Sequence, residues 1–481
     1  MGLRMRDACG HLVGDIIPFY DGEEHKAHLF YLRGHPEGCG LARFDTPWAH
    51  CVTRDWKTID VLPDAISKGL RGDCDDGACF TGCVYKKDGV FYLYYTSFSP
   101  YGDKSREMIC LATSKDGVHF DKHPENPLFG PDYALYGASD DFRDPYVWYH
   151  EEEKCYWMVF AAGLMNSRCQ TRRGAVGLAK SDDLRHWTLH APLYAPNIYP
   201  SLECPDVFRI GDWYYLLFSQ FGRTEYRMAR SLEGPWLLPK RPCFDCGEYF
   251  FYAAKTLFDG KRRLLIGWCG QLKDGKDGHS ALWGNAMVTP REIKADSDGE
   301  LYLECPEEHR VSGEAQTHSF IGAFDETHGK GECVTVGRQD GFDAALIKGS
   351  DCGDYTLAVT VDMAGDRGLF GVVLRATDDL SQCYLLEFNR ANRMMYFKRY
   401  ASYSLFSGET VNMDIVLAEK SLHELGDSLT LSIHFEDGIM EAFAGRSVMT
   451  VPVAELARGK VGFSAAYGSA TFHDIRFFPS V

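Results

Sequence analysis

Lys87-Asp88-Gly89-Val90-Phe91-Tyr92-Leu93-Tyr94-Tyr95-Thr96 reads as a tight turn running into a strand. Asp-Gly tolerates the positive φ of a two-residue hairpin, and the aromatic residues after it suit a pleated, half-buried surface. Upstream, residues 78–85 form the partner strand. Downstream, 108–120 supplies a third strand closed by Lys115-Asp116-Gly117-Val118-His119-Phe120.

The same unit recurs four more times. It runs through 15–21, 28–32 and 48–56; through 144–150, 155–161 and 175–187; through 205–210, 213–219 and 227–236; and through 252–258, 263–268 and 281–293. Gly211-Asp212 and Asp259-Gly260 repeat the turn chemistry. The closing tags also match: Arg54-Asp55-Trp56, Asp182-Asp183-Leu184-Arg185-His186-Trp187 and Ser231-Leu232-Glu233-Gly234-Pro235-Trp236. Repeats of roughly 50 to 65 residues, each a small antiparallel sheet, predict a β-propeller, and five copies predict five blades. No 3.6-residue apolar period runs through the units, which argues against a helical solenoid.

Past residue 308 the rhythm stops. Residues 309–331 are polar and read as a linker. Strands at 355–362, 369–375, 383–389, 394–399, 429–435, 439–443, 461–466 and 470–477 alternate in the manner of a β-sandwich. The expected fold class is therefore all-β: a five-bladed β-propeller over 1–308, then a C-terminal β-sandwich over 332–481. Packing or ancillary sugar binding is the expected role of the sandwich, which carries no evident catalytic cluster.

Of 481 residues, 45% are hydrophobic and 14% aromatic, and 51 basic against 68 acidic residues leave a net charge of −17. Without a basic cluster, nucleic acid and anionic membrane are poor partners. A small neutral carbohydrate suits the balance better. Met1 to Gly10 has no long apolar run and no stretch reaches membrane-spanning length, so a soluble protein is expected. The 17 scattered cysteines form no disulfide framework and point to the cytoplasm. Cys243 and Cys246 have Cys-x-x-Cys spacing, but no second pair follows, so buried thiols are expected there.

Cleaving a glycosidic bond usually takes two carboxyl groups, one protonated and one ionised. The first strand of each propeller blade lines the central channel, so acids in matching positions converge. Asp15 opens the first repeat, Asp144 the third, and Glu203 precedes the fourth. Each alone reads as a turn cap or a solvated carboxylate. In register they predict a catalytic trio.

Phe142-Arg143-Asp144-Pro145 and Glu203-Cys204-Pro205-Asp206 resemble the two internal signatures of glycoside hydrolase family 32, the invertase, levanase and inulinase family. Pro47-Trp48-Ala49-His50, Cys79-Phe80-Thr81-Gly82, Asn126-Pro127, Gly267-Trp268 and Pro290-Arg291-Glu292 resemble further segments in the family's order. The resemblance implies a retaining β-fructofuranosidase acting on short fructosides or sucrose-like substrates. It assigns the nucleophile to Asp15, the general acid/base to Glu203 and the transition-state-stabilising acid to Asp144. No metal or organic cofactor is implied. Arg143 would offset the acidic cluster and, with Trp48, Phe80, Thr81, Asp76 and Trp268, is expected to bind substrate.

The first motif departs from the family. Leu12-Val13-Gly14-Asp15-Ile16-Ile17-Pro18 lacks the family's tryptophan and asparagines, and Leu32 stands where it has glutamine. His11, Asp75, Asp76 and Glu248 are candidate replacements, with ordinary loop residues the plainer reading. Losing hydroxyl-binding partners bears on which sugar is accepted. An enzyme for another furanoside (an arabinofuranoside or difructose anhydride), a transfructosylase and a non-catalytic sugar-binding propeller therefore stay open. So does a homodimer through the sandwich.

Overall fold

In the computed structural model the described residues are 4–36, 47–100, 106–137, 141–322, 329–363, 365, 367–404 and 410–480. The first three hundred residues form a ring of five antiparallel blades. Their inner strands are Leu12–Asp21, Ala78–Lys87, Phe142–His150, Glu203–Ile210 and Tyr252–Phe258. Each pairs with a strongly apolar second strand: Lys26–Gly34, Val90–Phe98, Cys155–Gly163, Trp213–Gln220 and Arg263–Leu272. Blades one to three add a fourth strand that the sequence did not announce, at Asp60–Ile66, Asp121–Lys122 and Thr188–Tyr194. These outer strands are short, exposed or only half-buried, and they lack the apolar run that marks the inner ones.

The repeated tags have one physical cause. Asp55, Asp116 and Asp183 each accept two successive backbone N–H groups just downstream, at 2.8–2.9 Å. The hydroxyl of Thr53, Ser114 or Ser181 takes a third at 3.0 Å. Each turn passes through a positive φ, at Trp56 (57°), Gly117 (70°) and Leu184 (67°). The side-chain acceptors thus replace a strand ladder with a reproducible corner.

Blades five and one close the ring. Val13 pairs with Asn285 of the strand Ala281–Met287, and Met5 forms a bridge with Met287. The two blades therefore share one continuous sheet.

All five inner strands carry a one-residue bulge at the same level. Gly14-Asp15 oppose only Leu32, and Thr81 is extra between the pairs Phe80–Thr96 and Gly82–Tyr95. Asp144-Pro145 oppose Phe160, Cys204-Pro205 oppose Phe218, and Ala253-Ala254 oppose Gly267. Asp144, Cys204 and Ala253 adopt positive φ (62°, 50° and 47°), which non-glycine residues rarely do.

The second layer is a sandwich around one large apolar core that includes Leu357, Val372, Phe397, Leu431 and Phe463. The 20-residue strand Lys460–Pro479 serves both of its halves. Its first part pairs with Leu369–Ala376 and its last part with Tyr355–Met363, with Tyr467 at φ 55° between them. Inside the stretch read as a linker, His318–Gly322 is a strand hydrogen-bonded to Val334–Ile347. Its polar ends hid it, since only Phe320 is fully buried.

Propeller and sandwich share a core in which Phe251, Leu265 and Val288 meet Ile439, Phe443 and Val448. Charge is buried with it. Arg291 is fully buried over the Phe251 ring, 2.8 Å from Asp245 and hydrogen-bonded to Thr450. Arg4 donates to Glu441 at 2.8 Å and to the carbonyls of His434, Glu436 and Ile439. Removing one partner of such a set strands the other charge. Arg291→Ala is expected to cost about 3–5 kcal/mol in denaturant unfolding. A loss below about 1 kcal/mol would show that this cluster does not hold the layers together.

Candidate active site

The bulges sit at the mouth of the channel, where a cavity of about 570 Å³ opens. Blades two to four line it with Phe80, Thr81, Glu107, Arg143, Asp144, Glu203 and Cys204. Blades five and one supply Asp15, Leu32, Tyr249, Tyr252, Ala253, Ala281, Leu282 and Trp283.

Asp15 is gripped from two sides. Thr81 donates its hydroxyl to Oδ2 at 2.5 Å, and the Trp268 indole N–H donates to Oδ1 at 2.8 Å. Burial pushes this carboxyl above its ordinary value, and the two hydrogen bonds pull it back. One rotamer is thereby fixed with the carboxylate facing the cavity.

Asp144 is held through its own bulge. Its backbone N–H donates to Thr96 Oγ1 at 2.8 Å, and its Oδ2 accepts the Cys204 N–H at 2.8 Å. Burial is the largest influence on its carboxyl. Arg143 pulls it down, Glu203 and Asp15 push it up, and the balance lies at about 6. Cys204 Sγ lies 3.7 Å from Asp15 Oδ2 and 3.6 Å from Asp144 Oδ2. Burial keeps that thiol protonated, so it is a weak donor between two acids.

Glu203 begins the inner strand of blade four rather than preceding it, and its side chain is far more exposed than that of Asp144. Its Oε1 accepts Arg143 Nη2 at 2.9 Å, and its Oε2 accepts the Tyr252 hydroxyl. Arg143 is shared widely. Nη1 reaches Glu107 and Asp141, each at 3.1 Å, and Nε lies 3.9 Å from Asp144. One guanidinium thus serves four carboxylates; burial alone would lower its pKa, and the four together hold it well above the ordinary value.

The structure brings Asp15, Asp144, Glu203, Arg143, Phe80 and Thr81 into one cavity. Three further residues expected to contact substrate lie elsewhere. Trp48 is fully buried behind the cavity wall, its indole N–H bound to the Phe80 carbonyl at 3.1 Å, because its strand packs into the seam between blades one and two. Trp268 is equally buried and acts on Asp15 instead. Asp76 caps its own loop by accepting the Gly72 N–H at 3.0 Å. Asp75 binds Tyr95 and Lys122 below the wall, and His11 binds Asp7. Glu248 is exposed and does not line the cavity.

Glu107, Tyr249, Tyr252 and Trp283 were not legible as site residues. Glu107 lies on a third strand, which the repeat pattern assigns to blade packing; only its place as a charge at the start of an apolar strand set it apart. Tyr249 and Tyr252 enclose the buried pair Phe250-Phe251 and read with it as core aromatics.

Asp7, Cys9 and His11 form the one cluster of three metal-ligand side chains among the described residues. Asp7 already accepts from Tyr31, Arg33, the Cys9 N–H and His11, with the Arg33 cation at 2.9 Å. Such a knot does not suit a cation. Among the described residues all cysteines are free, and Cys246 donates to the Thr450 carbonyl.

Comparison with known proteins agrees with this architecture. The profile described as "Glycosyl hydrolases family 32 N-terminal domain" matches residues 18–306, and "Glycosyl hydrolases family 32 C terminal" matches 326–478. Sucrose-6-phosphate hydrolase of Escherichia coli is 31% identical over 297 residues, 57% of this chain and 58% of that protein. Raffinose invertase of Escherichia coli is 30% identical over 306 residues, 59% of each chain. The chain thus spans less than two thirds of the length of these curated relatives. In fold, exo-inulinase from Aspergillus awamori superposes with a TM-score of 0.72 at 17% identity, over 100% of this chain and 98% of that one. Sucrose-6-phosphate hydrolase from Lactobacillus gasseri gives 0.70 at 19% identity, over 97% and 91%. With both domains matched in order over most of its length, the chain belongs to glycosyl hydrolase family 32.

Proposed function

We propose that this chain is a retaining β-fructofuranosidase that hydrolyses short, neutral fructosides, with the propeller (1–308) catalytic and the sandwich (332–481) a buttress. The observation that carries this is the meeting of Asp15, Asp144 and Glu203 in one cavity around Arg143. Family membership and relatives named as sucrose-6-phosphate hydrolase and raffinose invertase support the substrate class.

In this reading Asp15, oriented by Thr81 and Trp268, attacks the anomeric carbon. Glu203 gives its proton to the leaving oxygen as the glycosidic C–O bond breaks, leaving a fructosyl ester on Asp15. Glu203, now a carboxylate, takes a proton from water; that water attacks the same carbon and releases fructose and free Asp15. Tyr252 and Arg143 hold the two oxygens of Glu203 and fix its aim. Asp144 and Arg143 receive sugar hydroxyls, and Asp144 offsets positive charge developing on the ring. The free thiols fit a reducing compartment, so we place the enzyme in the cytoplasm; no described helix is long and apolar enough to cross a membrane.

Glu203→Gln is expected to lower kcat/KM on sucrose or 1-kestose by about 10²–10⁴, and by much less on a p-nitrophenyl fructoside, whose leaving group needs no proton. Asp15→Asn should stop turnover of both. Equal losses for Glu203→Gln on both substrates would remove it as the proton donor.

A second expectation concerns pH. The Asp144 carboxyl stands at about 6 in the folded chain, above the usual value of about 3.9. A raised carboxyl contributes its stability in full below about pH 4 and loses it as pH rises through 6. Asp144→Asn cannot ionise, so its unfolding midpoint should gain on wild type between pH 4 and 7. A constant difference across that range would show that Asp144 does not titrate there.

A further inference from the structure

Gly14 is glycine for want of space. A Cβ built on it would lie 2.0 Å from Cζ2 of Trp283, 2.5 Å from Cη2 and 2.7 Å from Cε2. Its φ is not in the left-handed region, so backbone conformation does not demand glycine here. The indole of Trp283 rests directly on the bulge that carries Asp15.

Trp283 is fixed in that place. Its strand, Ala281–Met287, is the one joined to blade one through Asn285 and Val13. Its ring packs edge-on against Trp268 at 6.1 Å, and Trp268 in turn donates to Asp15. Leu32, the residue opposite the Gly14-Asp15 bulge, belongs to the same apolar cluster.

The cavity therefore has two unlike halves. Among the described residues, blades two to four present Glu107, Arg143, Asp144 and Glu203, with the Tyr252 hydroxyl turned to Glu203 and Tyr249 packed on Tyr252; the seam of blades five and one presents Leu32, Ala281, Leu282 and Trp283 beside Asp15. A hydroxyl facing the first group finds charged partners. One facing Leu32, Leu282 and the face of the Trp283 ring meets carbon.

We propose that Trp283, seated on Gly14, is the specificity-determining residue of the glycone subsite, and that the enzyme reads the furanose edge facing it by shape rather than by hydrogen bonds. This rests on the β-fructofuranoside reading and deepens it. The substrate class then extends to furanosides that lack a hydroxyl on that edge. An apolar wall separates substrates differing by one hydroxyl by about 10²-fold at most, whereas a site built to bind that hydroxyl rejects the deoxy analogue by 10⁴ or more.

The test uses wild-type enzyme and the four mono-deoxy analogues of one β-fructofuranoside, modified at positions 1, 3, 4 and 6. At least one analogue, at position 1 or 6, should retain kcat/KM within about 30-fold of the parent, while those facing Asp144 and Arg143 should lose 10³ or more. Losses above about 10³ at all four positions, with the parent turned over, would overturn the inference and leave the β-fructofuranosidase reading standing. No turnover of the parent would overturn that reading itself. A double-mutant cycle checks the placement of the ring. Gly14→Ala should lower kcat/KM at least tenfold in wild type but far less in Trp283→Ala, with unfolding midpoints confirming that each variant folds. Equal costs in both backgrounds would show that Trp283 does not rest on Gly14.

Discussion

An extra residue in each inner strand, at one level of the ring, is the constraint on which the site depends. A regular strand sends alternate side chains to opposite faces, so neighbours cannot face the same space. The bulge breaks that alternation where the strands reach the channel mouth. Asp15, Thr81, Asp144 and Cys204 then converge, although they come from four blades. The positive φ at Asp144 and Cys204 is backbone strain of the kind that persists only where surrounding structure enforces it. Here the enforcement is visible: the Asp144 N–H is held by Thr96, and the Cys204 N–H by Asp144 itself.

Convergence brings like charges into a buried space, and Arg143 makes that tolerable. Its planar fork addresses Glu107, Asp141 and Glu203 at once, with Asp144 beside it. A lysine offers a point charge and could not span that arc. Asp15, outside Arg143's reach, is hydrogen-bonded by neutral donors, with the buried Lys255 cation acting on it only from further off. That distinction suits the roles proposed for the two acids, attack on carbon for Asp15 and the holding of sugar hydroxyls for Asp144.

The blades were legible because the physics that repeats them also repeats their letters. Asp-Gly turns, aromatic second strands and Ser-x-Asp corners recur with the fold. Asp15, Asp144 and Glu203 could be seen as neighbours for the same reason, since each lies near the start of an inner strand; the structure sets them one position apart from strand to strand, Asp15 second and Asp144 first in its bulge and Glu203 just before its own. Trp48 and Trp268 were expected at the sugar because they match family segments, and a matching letter on a second or third strand does not say whether the ring lines the channel or packs between blades. Trp283 was invisible for a different reason: its place depends on what Gly14 lacks, and glycine carries no sign of what fills the room beside it. The strand His318–Gly322 was missed because one buried phenylalanine among polar neighbours makes no period.

The pairing of Val13 with Asn285 joins residues far apart along the chain. The strand bearing Asp15 leaves the ribosome well before Trp268 and Trp283, which set its surroundings and come from the last blade. Such a long closure is entropically slow to nucleate, and local hairpins form well before it. The carboxylate read here as the nucleophile is therefore completed by the final step of ring assembly. A chain that has not yet added its last blade lacks both Trp268 and Trp283, so the surroundings of Asp15 are complete only with the finished ring.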